Sequence, residues 1–130
     1  MAQAMSKTQT LPQDVYIYRL AAPEAMAQAS LSGAFAGEAL DDRDGYIHCS
    51  RREQLEDTLS LHFDGVERLA LAKIRVASVN DRLKWEKSRG GALFPHLYGP
   101  LPFSAIESVR LIRRNDEGDW VLPSDLEQGL

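Results

Sequence analysis

The hexapeptide VYIYRL (15–20) constrains the fold more than any other stretch. Its β-branched and aromatic residues favour a pleated backbone. Its apolar residues fall on both faces, so the strand is expected inside a sheet with cover on either side. A helix is expected directly after it, over APEAMAQASLSG (22–33). Pro23 suits a first turn, where its missing N–H goes unused. Glu24 sits at the positive end of the dipole, and Gly33 suits a left-handed terminus. Met26, Ala29 and Ser30 supply a modest inward stripe.

DDRDG (41–45) reads as a turn cluster and YIHCS (46–50) as a short strand. Ser50 and Glu53 stand at capping-box spacing, which predicts a helix from Ser50 to about Phe63, stopped by Asp64-Gly65. RLALAKIRV (68–76) alternates as a half-buried strand, and a short turn of helix or strand is expected near Leu83–Glu86. RGGALFPHLYGPLP (89–102) shows no period and reads as a stiffened loop. IESVRLIRR (106–114) is strand-like, with a turn at NDEGDW leading into WVLP (120–123). The order is strand, helix, strand, helix, then several strands, which predicts an α+β fold. One domain is expected over 14–123, with tails at 1–13 and 124–130.

Composition narrows the function classes. The 130 residues carry 15 basic and 19 acidic side chains, a net charge of −4. That balance argues against a general nucleic-acid binder. One cysteine, Cys49, rules out an internal disulfide and a cysteine-rich zinc module. The histidines and Cys49 lack metal-ligand spacing, so no metal is expected. No stretch reaches signal-peptide or membrane-spanning length, which makes the cytoplasm the default location.

The candidate chemistry concentrates in two places. In a strand, Tyr46, His48 and Ser50 share one face while Ile47 and Cys49 share the other. Cys49 is therefore expected buried and unreactive. His48 reads equally as a structural histidine or as a site residue. In the 89–102 loop, Phe94 and Leu97 are expected to anchor, leaving His96 and Tyr98 outward. Arg89 suits a phosphate. Glu86 follows Trp85; it reads either as an acid–base carboxyl with a raised pKa or, the favoured reading, as the partner of Lys84, Lys87 or Arg89. His62, near a helix C-terminus, is expected as a cation favoured by the dipole.

IYRL, DGYIHCS and LKWEKSRGGALFPHLYGPLP together resemble a family of small bacterial proteins, domain-of-unknown-function family 952 (DUF952), over about residues 15–123. The resemblance implies an ADP-ribosyltransferase-like split β-sheet with two helices near the N-terminal half and a nicotinamide-dinucleotide cleft. By the same resemblance, Arg19 would hold the dinucleotide, His48 and Ser50 would form a second element, and His96 or Glu86 a third. The implied cofactor is NAD. No plain glutamate motif stands at the expected place, and the RNA 2′-phosphotransferase branch of that fold works without one. The expected activity is ADP-ribosyl or 2′-phosphate transfer. In this reading Arg19, Arg89 and the backbone near Ser50 hold phosphates, Tyr46 or Tyr98 stacks the nicotinamide, and His48, His96 or Glu86 acts at the ribose. The alternative is a non-catalytic module binding a nucleotide or other anionic small molecule. Behind both stands a structural or interaction domain whose loop only packs.

Overall fold

The computed structural model describes residues 11–126. The expected tails, 1–13 and 124–130, lie mostly outside them. Strand β1 (Tyr16–Ala21) is buried on both faces, as its sequence demands, but it is not interior to its sheet. It pairs antiparallel with β4 (Arg68–Arg75), which pairs in turn with β8 (Ile106–Arg113), giving the order β1-β4-β8. Cover on both faces comes from two apolar clusters, one on each side of the sheet. Ile17, Ala21, Ala70, Ala72 and Ile74 face one cluster. Tyr18, Leu20, Leu69 and Leu71 face the other.

Helix α1 (Pro23–Ser32) closes the first cluster with Met26 and Ala29; Ser30 stays exposed. Gly33, at φ 96°, ends it by donating its N–H to the Ala29 carbonyl over 2.9 Å. The stretch read as a turn cluster is instead helix α2 (Ala39–Asp44). The Glu38 N–H donates to Asp41 Oδ2 over 2.6 Å, satisfying one of the first-turn donors. This local bond turns an aspartate run, otherwise a turn signal, into a helix start. Helix α3 (Leu55–His62) covers the second cluster with Leu55 and Leu59, joined by the partly buried Phe63.

The capping box also lies one residue later than its spacing suggests. Ser50 is still extended, exchanging two 2.8 Å backbone hydrogen bonds with Tyr18. The helical turn Arg52–Gln54 therefore starts after Arg51, whose N–H donates to Gln54 Oε1 over 2.9 Å.

The segment read as a loop is largely strand. β6 (Leu93–Leu97) is the central strand of a second sheet, between β3 (Ile47–His48) and β5 (Leu83–Lys87). Proline is rare in such a position because it cannot donate to the ladder. Here the missing N–H of Pro95 does structural work. Pro95 accepts from the Cys49 N–H over 3.1 Å and returns nothing, and one residue later the chain crosses to Tyr18 of β1. The β3–β6 ladder ends at the proline while β5–β6 pairing continues past it, and Ser50 ties the second sheet to the first. β2 (Ala34–Phe35) and β7 (Leu101–Pro102) form a separate antiparallel pair. Asn115 builds the expected turn after β8, while the WVLP segment pairs with it only through the isolated Arg114–Trp120 bridge and packs Trp120 and Leu122 against the second cluster. No helix among the described residues is long and apolar enough to cross a membrane.

Leu97 is fully buried between the sheets and Leu31 is 83% exposed. In urea denaturation, Leu97→Ala should lower stability by about 2–5 kcal/mol, and Leu31→Ala should change it by less than about 0.5 kcal/mol.

Candidate functional site

The register of the second sheet gathers nearly every residue singled out in the sequence. His48 pairs with His96, His96 with Lys84, and Phe94 with Glu86. Alternation then places Tyr46, His48 and Ser50 on the same face as Phe94, His96 and Tyr98, and as Lys84 and Glu86. Ile47, Cys49, Leu97 and Trp85 point the other way, into or against the core. The ring contacts follow from this. Tyr46 stacks on His96 with centroids 4.0 Å apart and planes 24° apart, and lies 4.6 Å from the His48 ring and 5.4 Å from Tyr98. The two imidazoles are 5.8 Å apart, edge to face. A hollow of about 290 Å³ opens beside Tyr46, bordered by Asp41, Asp42, Gly45, Gly99 and Pro100.

His96 is fixed by Glu86. Its Nδ1 donates to Glu86 Oε1 over 2.7 Å, and the Tyr98 hydroxyl donates to the same oxygen over 2.8 Å. These two bonds lower the Glu86 pKa, the opposite of the rise a neighbouring indole would cause. Trp85 has no such influence because it lies on the opposite face. Among the described residues, Glu86 hydrogen-bonds no lysine or arginine; the nearby Lys84 adds only a charge. Burial lowers the His96 pKa, against the opposing pull of Glu86. The ring is therefore neutral near pH 7, with Nδ1–H committed and Nε2 unpaired among the described residues; it is buried rather than outward as expected, while Tyr98 is exposed. Donation to Glu86 pushes the Tyr98 hydroxyl up to about 12.

His48 is held differently. Its Nδ1 meets Asp41 Oδ1 and its Nε2 meets Asp44 Oδ2, both at 2.8 Å. Each ring nitrogen of His48 thus faces a carboxylate. Asp41 also accepts from the His48 N–H over 2.9 Å. Behind it sits Arg19, 6% exposed, reaching both Asp41 oxygens over 2.7 Å, Glu38 over 2.8 Å and the His48 carbonyl over 3.0 Å. The guanidinium also lies over Phe35. All of its terminal nitrogens are occupied by protein, so Arg19 supports the histidine face from beneath it.

The remaining candidates lie at the far end of the face. Ser50 Oγ is 3.3 Å from Thr58 Oγ1 of α3. Arg89, in the β5–β6 connection, donates to Thr58 Oγ1 over 3.3 Å and to His62 Nε2 over 3.1 Å, and lies over the Phe94 ring. A nitrogen that accepts from arginine carries no proton, and the His62 pKa is lowered by burial, then by Arg89, then by His48. The expected helix-end cation is thus a neutral acceptor. Cys49 is buried, its thiol pushed up to about 12 by desolvation, and it faces away from His48. Among the described residues, no group of three or more His, Cys, Asp or Glu is arranged to hold a metal ion.

Residues 20–109 match the protein family of unknown function DUF952. The chain belongs to this family. The crystal structure of protein CC0527 from Caulobacter crescentus is similar at 36% identity and a TM-score of 0.76, covering 82% of this chain and 93% of that one. The solution NMR structure of CC0527 is similar at a TM-score of 0.72, covering 81% and 90%. No curated protein matches the chain.

Asp41, Asp44 and Thr58 also join this cluster, and the sequence signals alone did not single them out. The signal for the aspartates was present in DDRDG, seven and four residues before His48, but a turn assignment hid it. Burial alone would raise the Asp41 pKa. The bonds from His48 and Arg19 outweigh it and hold the carboxyl far below the usual range. A carboxyl depressed below its unfolded value of about 3.9 stabilises the fold fully above that pH and loses the contribution as pH falls toward the folded value. Asp41→Asn leaves Arg19 buried without its main counter-charge and should cost about 3–5 kcal/mol near neutral pH. It should also flatten the acid limb of a stability profile followed by circular dichroism.

Proposed function

We propose that the His48–His96 face is an acid–base site of a transferase acting on a phosphorylated nucleotide, in the class that moves ADP-ribosyl groups or 2′-phosphates with NAD. The observation that carries the reading is the His96–Glu86 pair. A carboxylate that accepts from Nδ1 fixes the tautomer, orients the ring and steadies the imidazolium that forms when Nε2 takes a proton. His96 is the base, drawing a proton from an attacking hydroxyl or water. Tyr46 and Tyr98 offer flat surfaces for a nucleobase or nicotinamide. Lys84, 4.8 Å over the Tyr98 ring, and Arg89 supply the positive charge that a phosphate needs. NAD bound there would supply the glycosidic bond to be broken. Arg19, expected to grip the dinucleotide, is assigned a supporting role because its terminal nitrogens already bind Asp41, Glu38 and the His48 carbonyl.

The two three-stranded sheets joined at Tyr18–Ser50 support reading the architecture as the split sheet of an ADP-ribosyltransferase-like fold. The cytoplasm, where NAD and RNA are both present, is the proposed location. The second reading, a nucleotide-binding module without turnover, draws on the modest hollow beside Tyr46.

The test is incubation with NAD and, separately, with a 2′-phosphorylated oligoribonucleotide, followed by mass spectrometry for nicotinamide, ADP-ribose and released phosphate. His96→Ala should lower turnover by about 10²–10⁴-fold. Glu86→Gln removes a charge that raises the His96 pKa, so the acid limb of its pH–rate profile should move to lower pH. Thermal stabilisation by a nucleotide without product favours the binding module, and neither effect refutes both readings.

A further inference from the structure

Arg89 stands apart from most arginines of this chain. Arg19, Arg43, Arg51, Arg52, Arg68, Arg75 and Arg110 each pair with a carboxylate. Arg89 instead donates to two neutral acceptors, the Thr58 hydroxyl and the His62 ring. A guanidinium has no acceptor capacity, so it forces His62 to present a bare nitrogen. The local chemistry is thus three hydrogen-bonding groups, Arg89, Thr58 and His62, with no carboxylate among the partners of Arg89 in the described residues. Ser50 adds a second hydroxyl beside Thr58. The Arg89 group lies over Phe94, which is two residues from His96 on the same face of β6.

We infer that Arg89, Thr58 and His62 form a phosphate-binding subsite beside Phe94, two residues along β6 from His96, one that takes the phosphate monoester of the nucleotide. The subsite rests on the reading of this face as a nucleotide site only for its ligand; the phosphate contact itself stands on the three residues. A phosphate dianion would accept from Arg89 and from the Thr58 hydroxyl. It would also separate Arg89 from His62 Nε2 and favour the protonated His62 ring as a further donor. Arg89 and His48 are the charged or titratable neighbours that work against that protonation, and the dianion offsets both. The subsite thereby selects a terminal phosphate over an uncharged ribose, and it places that phosphate at the opposite end of the face from the Tyr46–Tyr98 wall.

The experiment is an NMR titration of the histidine rings of the full chain with inorganic phosphate, repeated with adenosine 2′-monophosphate. Saturable shifts confined to His62, with its ring titrating at higher pH in phosphate, are expected. Arg89→Gln should weaken phosphate binding about tenfold or more, Thr58→Val less, and Arg89→Lys should retain part of it. Melting curves identify any variant that fails to fold, and the lysine variant then carries the comparison. His96→Gln should leave phosphate affinity intact while abolishing turnover, so the subsite and the acid–base reading fail separately. Tighter binding of the monophosphate than of free phosphate marks a nucleotide ligand; equal affinity marks a site for free phosphate and overturns the nucleotide assignment. An unmoved His62 at millimolar phosphate, or full affinity in Arg89→Gln, overturns the subsite.

Discussion

Asp41 carries one carboxylate and serves three parts of the chain. It accepts from Arg19 on β1, from the backbone and ring of His48 on β3, and from the Glu38 N–H that opens α2. Burying a guanidinium on the inner face of a sheet is unfavourable unless its charge is met with good geometry. That requirement places α2 against β1, and α2 in turn places Asp44 at the second nitrogen of His48. The position of one imidazole thus depends on an ion pair whose two partners lie 22 residues apart in sequence. The apolar clusters on either side of the first sheet supply the larger share of stability, but they do not specify where a histidine points.

The other imidazole is placed by backbone pairing. β6 is central to its sheet, so His96 faces His48 on one neighbour and Lys84 on the other. Glu86, two residues further along β5, then reaches the His96 ring. The two histidines are held by opposite devices. Carboxylates flank both nitrogens of His48 and leave it no free base. One carboxylate holds a single nitrogen of His96 and leaves the other available. This asymmetry separates an imidazole with both nitrogens paired from one with a nitrogen left unpaired on the same face.

The strand-period readings survived because they rest on burial. VYIYRL was legible as a strand from its β-branched and aromatic content, and the shared face of Tyr46, His48 and Ser50 from alternation; RLALAKIRV was legible as a strand too, although it is covered on both faces rather than half-buried. The segment 89–102 was misread because Pro95 and the glycines are local signals for a loop, whereas its strand is imposed by neighbours on both sides. The Ser50 cap failed for the same reason: a long-range bridge to Tyr18 keeps the residue extended. Arg19 was legible as special, but its partners were not, since nothing in IYRL indicates that Glu38 and Asp41 will reach it. The His96–Glu86 bond was likewise invisible until a hairpin register brought the two together.

The bridge between Tyr18 and Ser50 also bears on how the chain reaches this state. β1 must find β4, and β3 must find β6, each across roughly fifty residues. The β3 ladder is then only two residues long and is cut off at Pro95. Contacts so distant in sequence close large loops before they return any stabilisation, which slows folding relative to chains built from local hairpins. Among the strand pairs of the described residues, β5–β6 alone is a local hairpin, its connection turned by Gly90 and Gly91 at positive φ, so half of the histidine face closes a short loop while the other half waits on a long one.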